Sequence, residues 1–166
     1  KRFLFYIVFV ILGLNSCVDQ PIAGPIGLQS EAPNLTHQGY WIANEGGFTL
    51  GQATLSFLDL VEDTMYNGVF EAINGRPLGD VLQSINYYNG KAFLIVNNSR
   101  KIEVVDSISF ESIATIDDLS SPREIIGYQN KLFITNLYSN KVDVLDASSY
   151  QSIGVIETGG WNEKML

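Results

Sequence analysis

From Gly39 onward the chain is built of apolar runs five or six residues long, separated by clusters of Asn, Asp, Gly and Ser. Glu124–Tyr128, Lys131–Asn136, Lys141–Leu145 and Gln151–Ile156 are four such runs, and Lys141–Leu145 alternates polar and apolar positions. Short runs with a period of two predict strands. No stretch after Cys17 carries the sustained 3.6-residue period of a capped helix. Tyr88-Asn89-Gly90-Lys91 predicts a type I′ hairpin, because Asn and Gly accept the two positive φ angles it needs. Gln129-Asn130 turns the chain at the matching place.

The runs repeat. Lys91–Ile126 laid over Lys131–Leu166, at an offset of 40 without gaps, gives ten identities in 36 positions, among them Phe93/Phe133, Val104/Val144 and Asp106/Asp146. A period near 40 whose units read as four short strands predicts propeller blades. A divergent unit opens at Gly39: Tyr40–Asn44 matches the second strand of the later units and Leu55–Asp59 the third. It carries two expansions, one in the Gly-rich loop Glu45–Ala53 and one between Asp59 and Gln83. Loop insertions on one face are how repeat proteins shape a binding surface. The predicted fold is all-β: about three four-stranded antiparallel blades, roughly 39–82, 83–122 and 123–166, of an incomplete ring. Propellers close with four to eight blades, so three predict further blades outside this stretch, or a ring made by several copies.

The start of the chain follows another rule. Lys1-Arg2 precede the uncharged stretch Phe3–Leu14, which ends in Leu14-Asn15-Ser16-Cys17. Twelve apolar residues are too few to span a bilayer. A basic start, a short apolar stretch and small residues describe a secretory signal peptide over 1–16. The final four residues resemble a bacterial lipobox, which implies cleavage before Cys17 and acylation of its sulfur. Residues 17–38, with Pro21, Pro25 and Pro33, read as a tether. His37 falls within it.

Composition then narrows the chemistry. The net charge of −8 becomes −10 once Lys1 and Arg2 are removed with residues 1–16. Such a body offers nucleic acid no basic face and gains nothing from anionic lipid, so the membrane is reached through the acyl chains alone. One Cys excludes an internal disulfide, and one His leaves neither a Ser-His-Asp arrangement nor a His-rich metal centre to assemble. The expectation is therefore a protein that is not an enzyme, with no cofactor, metal or catalytic residue. Gly75–Gly79 lacks the strand-to-helix context of a phosphate loop.

Binding candidates recur once per unit. The connections into each first strand end in Gln83, Arg123 and Glu163, spaced by 40. The loops after each second strand begin at Asn44-Glu45, Asn97 and Asn136. In a propeller both loop sets crowd one mouth, where long polar side chains hydrogen-bond a ligand, and Tyr138 and Trp161 add aromatic area. The alternatives are turn-making for the Asn set, an ion pair for Arg123 and an inter-blade filler for Trp161.

Gly39-Tyr40-Trp41-Ile42-Ala43-Asn44-Glu45-Gly46, Asn74-Gly75-Arg76-Pro77-Leu78-Gly79-Asp80 and Gly160–Met165 resemble lipoproteins of the YncE-like, YVTN-repeat propeller superfamily. More narrowly, they resemble Bacteroidota surface lipoproteins that carry a DUF5074 domain. The resemblance implies ligand capture without catalysis, with a corrinoid such as cobalamin as the best-known ligand class. It also implies a TonB-dependent outer-membrane transporter as partner, and an outer-membrane location in a bacterial cell envelope; the lone acidic Asp19 after Cys17 leaves periplasmic and outward-facing display both open. The runner-up is a structural or adhesive propeller that binds protein or glycan; a hydrolase or lyase with catalytic groups in other blades ranks third.

Overall fold

A computed structural model describes residues 32–165. The stretch Phe3–Leu14, Cys17 and the tether as far as residue 31 lie outside the described residues. The elements are β1 (Gly39–Asn44), β2 (Thr54–Asp59), β3 (Thr64–Tyr66), α1 (Val69–Asn74), β4 (Leu82–Tyr88), β5 (Lys91–Val96), β6 (Lys101–Asp106), β7 (Ser112–Ile116), β8 (Pro122–Tyr128), β9 (Lys131–Asn136), β10 (Lys141–Asp146) and β11 (Ser152–Glu157). They form three antiparallel meanders: β1-β2-β3, β4-β5-β6-β7 and β8-β9-β10-β11. The fold is an incomplete β-propeller. The first sheet has three strands where four were expected. Its β1 occupies the place of a second strand, since Gly39 faces Asp59 as Lys91 faces Asp106 and Lys131 faces Asp146.

That register is pinned by one turn used three times. Oδ1 of Asp59 accepts the backbone N–H groups of Val61 and Glu62, Oδ1 of Asp106 those of Ile108 and Ser109, and Oδ1 of Asp146 those of Ser148 and Ser149. Four residues past each Asp the chain takes a positive φ, at Asp63 (49°), Phe110 (55°) and Tyr150 (60°). The carboxylate holds the loop in a conformation that non-glycine residues avoid. At the same end, Asn89 and Gly90 both have positive φ, as the type I′ hairpin requires, and so do Gln129 and Asn130.

Stacking supplies the core. Alternate residues of a strand face opposite sides of its sheet, and the middle sheet is covered on both. Ala92, Leu94, Val96, Val105 and Phe110 join Ala53, Leu55, Phe70 and Leu78 on the first-sheet side. Phe93, Ile95, Ile102 and Val104 join Ile125, Leu132, Ile134 and Leu145 on the other. Each fully buried Leu, Ile or Phe contributes about 1.5–3 kcal/mol. The sheets approach closely where β8 crosses β4: a Cβ on Gly127 would lie 2.1 Å from the Tyr88 ring. That ring's hydroxyl accepts the Asn130 N–H at 3.0 Å.

The expansion after Asp59 folds as a strap. Its helix α1 is one and a half turns long, too short to leave a periodic signal in the sequence. Asn74 extends the pairing of β7's edge, giving Nδ2–H to the Phe110 carbonyl and accepting the Ser112 N–H. Arg76 clamps Glu103 of β6 with two 2.8 Å bonds, and Lys101 Nζ lies 2.5 Å from the same carboxylate. Glu103 shares a sheet face with Val105 and its side chain is 0% exposed. Burial pushes its carboxyl up, but Arg76 and Lys101 outweigh that and hold it below the ordinary carboxylate range. Residues 34–38, expected in the tether, fold onto the first sheet instead: the Gln38 carbonyl accepts the Leu60 N–H, and His37 Nδ1 lies 2.7 Å from Asp59 Oδ2.

Arg76→Ala is expected to cost about 2 kcal/mol by urea unfolding, because it strips a buried carboxylate of its bidentate partner. The Arg76→Leu/Glu103→Leu pair recovers most of that loss. The backbone N–H groups of Ser109 and Ile108, and of Ser149 and Ser148, hold Asp106 and Asp146 below their ordinary range. A depressed folded-state pKa contributes stability that is complete above the unfolded value, about 3.9, and is lost as pH falls through the folded one. Melting temperature is therefore expected to drop steeply below about pH 4. Asp106→Ala/Asp146→Ala lowers it at pH 7 and flattens that acid limb.

Candidate functional site

In a meander, the first-to-second and third-to-fourth turns lie at one end. The second-to-third loops and the connections between sheets lie at the other. Hydrogen bonds tie this second end together. The Asn97 N–H donates to the Val81 carbonyl, Leu137 to Ser121, and Asn162 to Ser139. All nine candidate side chains belong to this mouth, and the structure divides them into two groups.

The Asn residues are absorbed by the framework. Buried Asn97 donates from Nδ2 to the Pro122 carbonyl at 2.9 Å, joining the second sheet to the start of the third. Buried Asn136 accepts the Ser121 N–H at 3.1 Å and donates to Asp143 Oδ2 at 2.8 Å. Asn44 donates to Ser56 Oγ at 2.7 Å and Thr54 Oγ1 at 3.2 Å. Glu45 is exposed at the start of the expanded loop.

Gln83, Arg123 and Glu163 come together. The β4–β5 register shifts between Leu82 and Ser84, and the β8–β9 register between Pro122 and Glu124, so Gln83 and Arg123 are the extra residues of matching bulges. A bulge re-aims its extra side chain away from the regular pleat. Arg123 Nη1 donates to Gln83 Oε1 at 2.6 Å, and its Nη2 lies 3.6 Å from Glu163 Oε2. The result is a row spaced by 40 residues, from β4, β8 and the segment after β11, acceptor–cation–acceptor, with Arg123 24% exposed and Glu163 60%. At the same end Tyr138, 71% exposed, meets Trp161, 75% exposed and two residues before Glu163, edge to face at 5.2 Å. Tyr138 sits at φ 59°, a conformation that costs an aromatic residue about 1 kcal/mol or more. The mouth holds that ring outward under strain.

Asp80 is a mouth residue that the sequence reading missed. It is 8% exposed; Oδ2 accepts the Thr49 N–H at 2.9 Å and an N–H of the Asn98 side chain, and its own N–H donates to Ser99 Oγ. Asp80 thereby locks the expanded loop, where Thr49 has φ 67° and Phe48 and Leu50 point into solvent. The clue was one carboxylate in a Gly- and Pro-rich stretch, which reads as an ordinary turn. Between that loop and the strap lies a hollow of about 260 Å³, lined by Gln52, Thr54, Phe70, Glu71 and Pro77. It is below the usual ~300–1,000 Å³ of ligand cavities.

A protein-family model described as "Domain of unknown function (DUF5074)" matches residues 38–164. No curated protein matches the chain. Among solved structures it is similar to Kuenenia stuttgartiensis hydrazine synthase, with a TM-score of 0.56, 15% identity, and coverage of 74% of this chain and 33% of that one. It is also similar to Saccharomyces cerevisiae Sqt1, at 0.51, 15%, 75% and 32%. A nidogen/laminin complex gives 0.53, 9%, 72% and 43%. Identities this low speak for the fold alone. The chain spans about a third of the first two structures.

Asn97→Ala and Asn136→Ala are expected to lose about 1–2 kcal/mol each in urea unfolding, since the first strands the buried Pro122 carbonyl and the second the part-buried Ser121 N–H and Asp143 carboxylate. Arg123→Ala, at the exposed row, loses less than about 1 kcal/mol.

Proposed function

The chain belongs to the DUF5074 family, and from that premise we propose that it is a cell-envelope lipoprotein whose propeller captures a small ligand at its mouth by binding alone, without turnover. The observation that carries this reading is the row Gln83–Arg123–Glu163, with Tyr138 and Trp161 at the same end. An acceptor–cation–acceptor line with exposed rings at its end of the sheets suits a broad ligand with amide or carboxylate edges and an apolar face. Rigid bulges and paired side chains reduce the entropy lost on binding. A corrinoid has that character. It is far larger than the 260 Å³ hollow and would lie across the mouth. Cys17, acylated, would anchor the protein in the outer membrane, with the propeller at the cell surface delivering ligand to a TonB-dependent transporter.

Phe48 and Leu50, exposed on a loop that Asp80 holds in place, favour a second reading: an adhesive propeller that docks protein or glycan.

Isothermal titration of the protein with cyanocobalamin is expected to show micromolar or tighter binding. Arg123→Ala and Tyr138→Ala each weaken it at least tenfold, about 1.4 kcal/mol. No heat with cyanocobalamin rejects the corrinoid. Binding that survives both substitutions unchanged rejects the mouth as its site.

A further inference from the structure

We propose that His37, Asp59 and Glu62 form a site for a borderline divalent metal ion, zinc in the first instance. One ligand atom from each lies within 4.8 Å of the others. They sit on the turn before β1 and the turn after β2, at the end of the sheets opposite the mouth, so this site is independent of the ligand-capture reading.

The other two sheets serve as internal controls. Their turns are superimposable in hydrogen bonding: the Gln38, Gly90 and Asn130 carbonyls accept the N–H groups of Leu60, Ser107 and Ala147. That places His37 opposite Asn89 and Gln129, and Glu62 opposite Ser109 and Ser149. In the third sheet Asn130 Nδ2 donates to Asp146 Oδ2, and Ser149 Oγ donates to Asp146 Oδ1. A neutral amide and a hydroxyl therefore suffice to finish this turn. Asn130 matches Gln38, whereas at the places of Gln129 and Ser149 the first sheet carries an imidazole and a second carboxylate, the two side chains that together with the turn Asp make a nitrogen-and-oxygen ligand set.

The surroundings are arranged for the three to act together. Asp59 is fully buried; Oδ1 is occupied by two backbone N–H groups, which leaves Oδ2 facing His37 Nδ1. Asn34 Nδ2 lies 3.0 Å from His37 Nε2, and the Tyr66 hydroxyl donates to Glu62 Oε2 at 2.6 Å. Such outer partners orient metal ligands. Binding needs the imidazole proton on Nε2 rather than Nδ1, and Asn34 to turn toward it the Oδ1 that accepts the Thr36 N–H and hydroxyl in the metal-free protein. Nδ1 and the two carboxylates then take three positions and water the fourth. One imidazole with two carboxylates suits zinc and its neighbours, whereas calcium and magnesium are content with oxygen alone.

Titration of chelator-treated protein with ZnCl₂ is expected to give one bound ion and a raised melting temperature, and CaCl₂ and MgCl₂ to give neither. Glu62→Ser and His37→Gln install the residues of the other sheets, so both fold, and each weakens zinc binding at least tenfold. Zinc affinity unchanged in either variant, no zinc binding by the unsubstituted protein, or calcium binding as strong as zinc would overturn the site.

Discussion

Everything in this molecule depends on sheets stacked face to face. A four-stranded meander has two broad faces and cannot bury both alone. The middle sheet shows what stacking achieves: from Ala92 to Val96 and from Ile102 to Val105 every residue is buried. Even residues of β5 serve one neighbour and odd residues the other. Such strands read as continuous apolar runs, whereas β11, all six residues exposed, alternates nothing against nothing. The mouth inherits its geometry from this stacking, because Gln83 meets Arg123 only if the first strands of successive sheets, β4 and β8, run side by side.

Two of the buried carboxylates join insertions to the repeat. Glu103 receives Arg76 from the strap; Asp80 receives the expanded loop through Thr49. Neither is an efficient source of stability, since desolvating a carboxylate offsets most of what its partners return. What the two achieve is position: the strap lies along β7, and the loop after β1 is held in one shape. One oxygen of Asp80 has no hydrogen-bond partner, and the structure offers no physical account of it.

The repeat made most of the architecture legible. An offset of 40 implied that Lys91 and Lys131, Asp106 and Asp146 occupy equal places, and the strand register places them so. Asn89-Gly90 announced its turn because few dipeptides accept two positive φ angles. Other features carried no usable signal. Glu103 alternates with apolar neighbours as any solvent-facing residue would, and its partner lies 27 positions away. The Asn set, which the sequence offers as ligand contacts or as turn formers, is engaged with backbone and neighbouring side chains. The row at Gln83, Arg123 and Glu163 was visible as spacing, but its internal pairing depends on two bulges that sequence does not mark. His37 looked like part of a tether because proline spacing says where a chain is stiff, not where it lands.

The most direct test of the stacking is the contact between Gly127 and Tyr88, where β8 lies against the ring without room for a methyl group. A double-mutant cycle by urea unfolding compares Gly127→Ala in the native background with Gly127→Ala in a Tyr88→Ala background. Packed sheets predict strong coupling: the alanine is damaging beside the ring and nearly harmless without it, a difference of about 1 kcal/mol or more. Additive effects would mean that the two strands do not meet, and the stacked arrangement would be wrong.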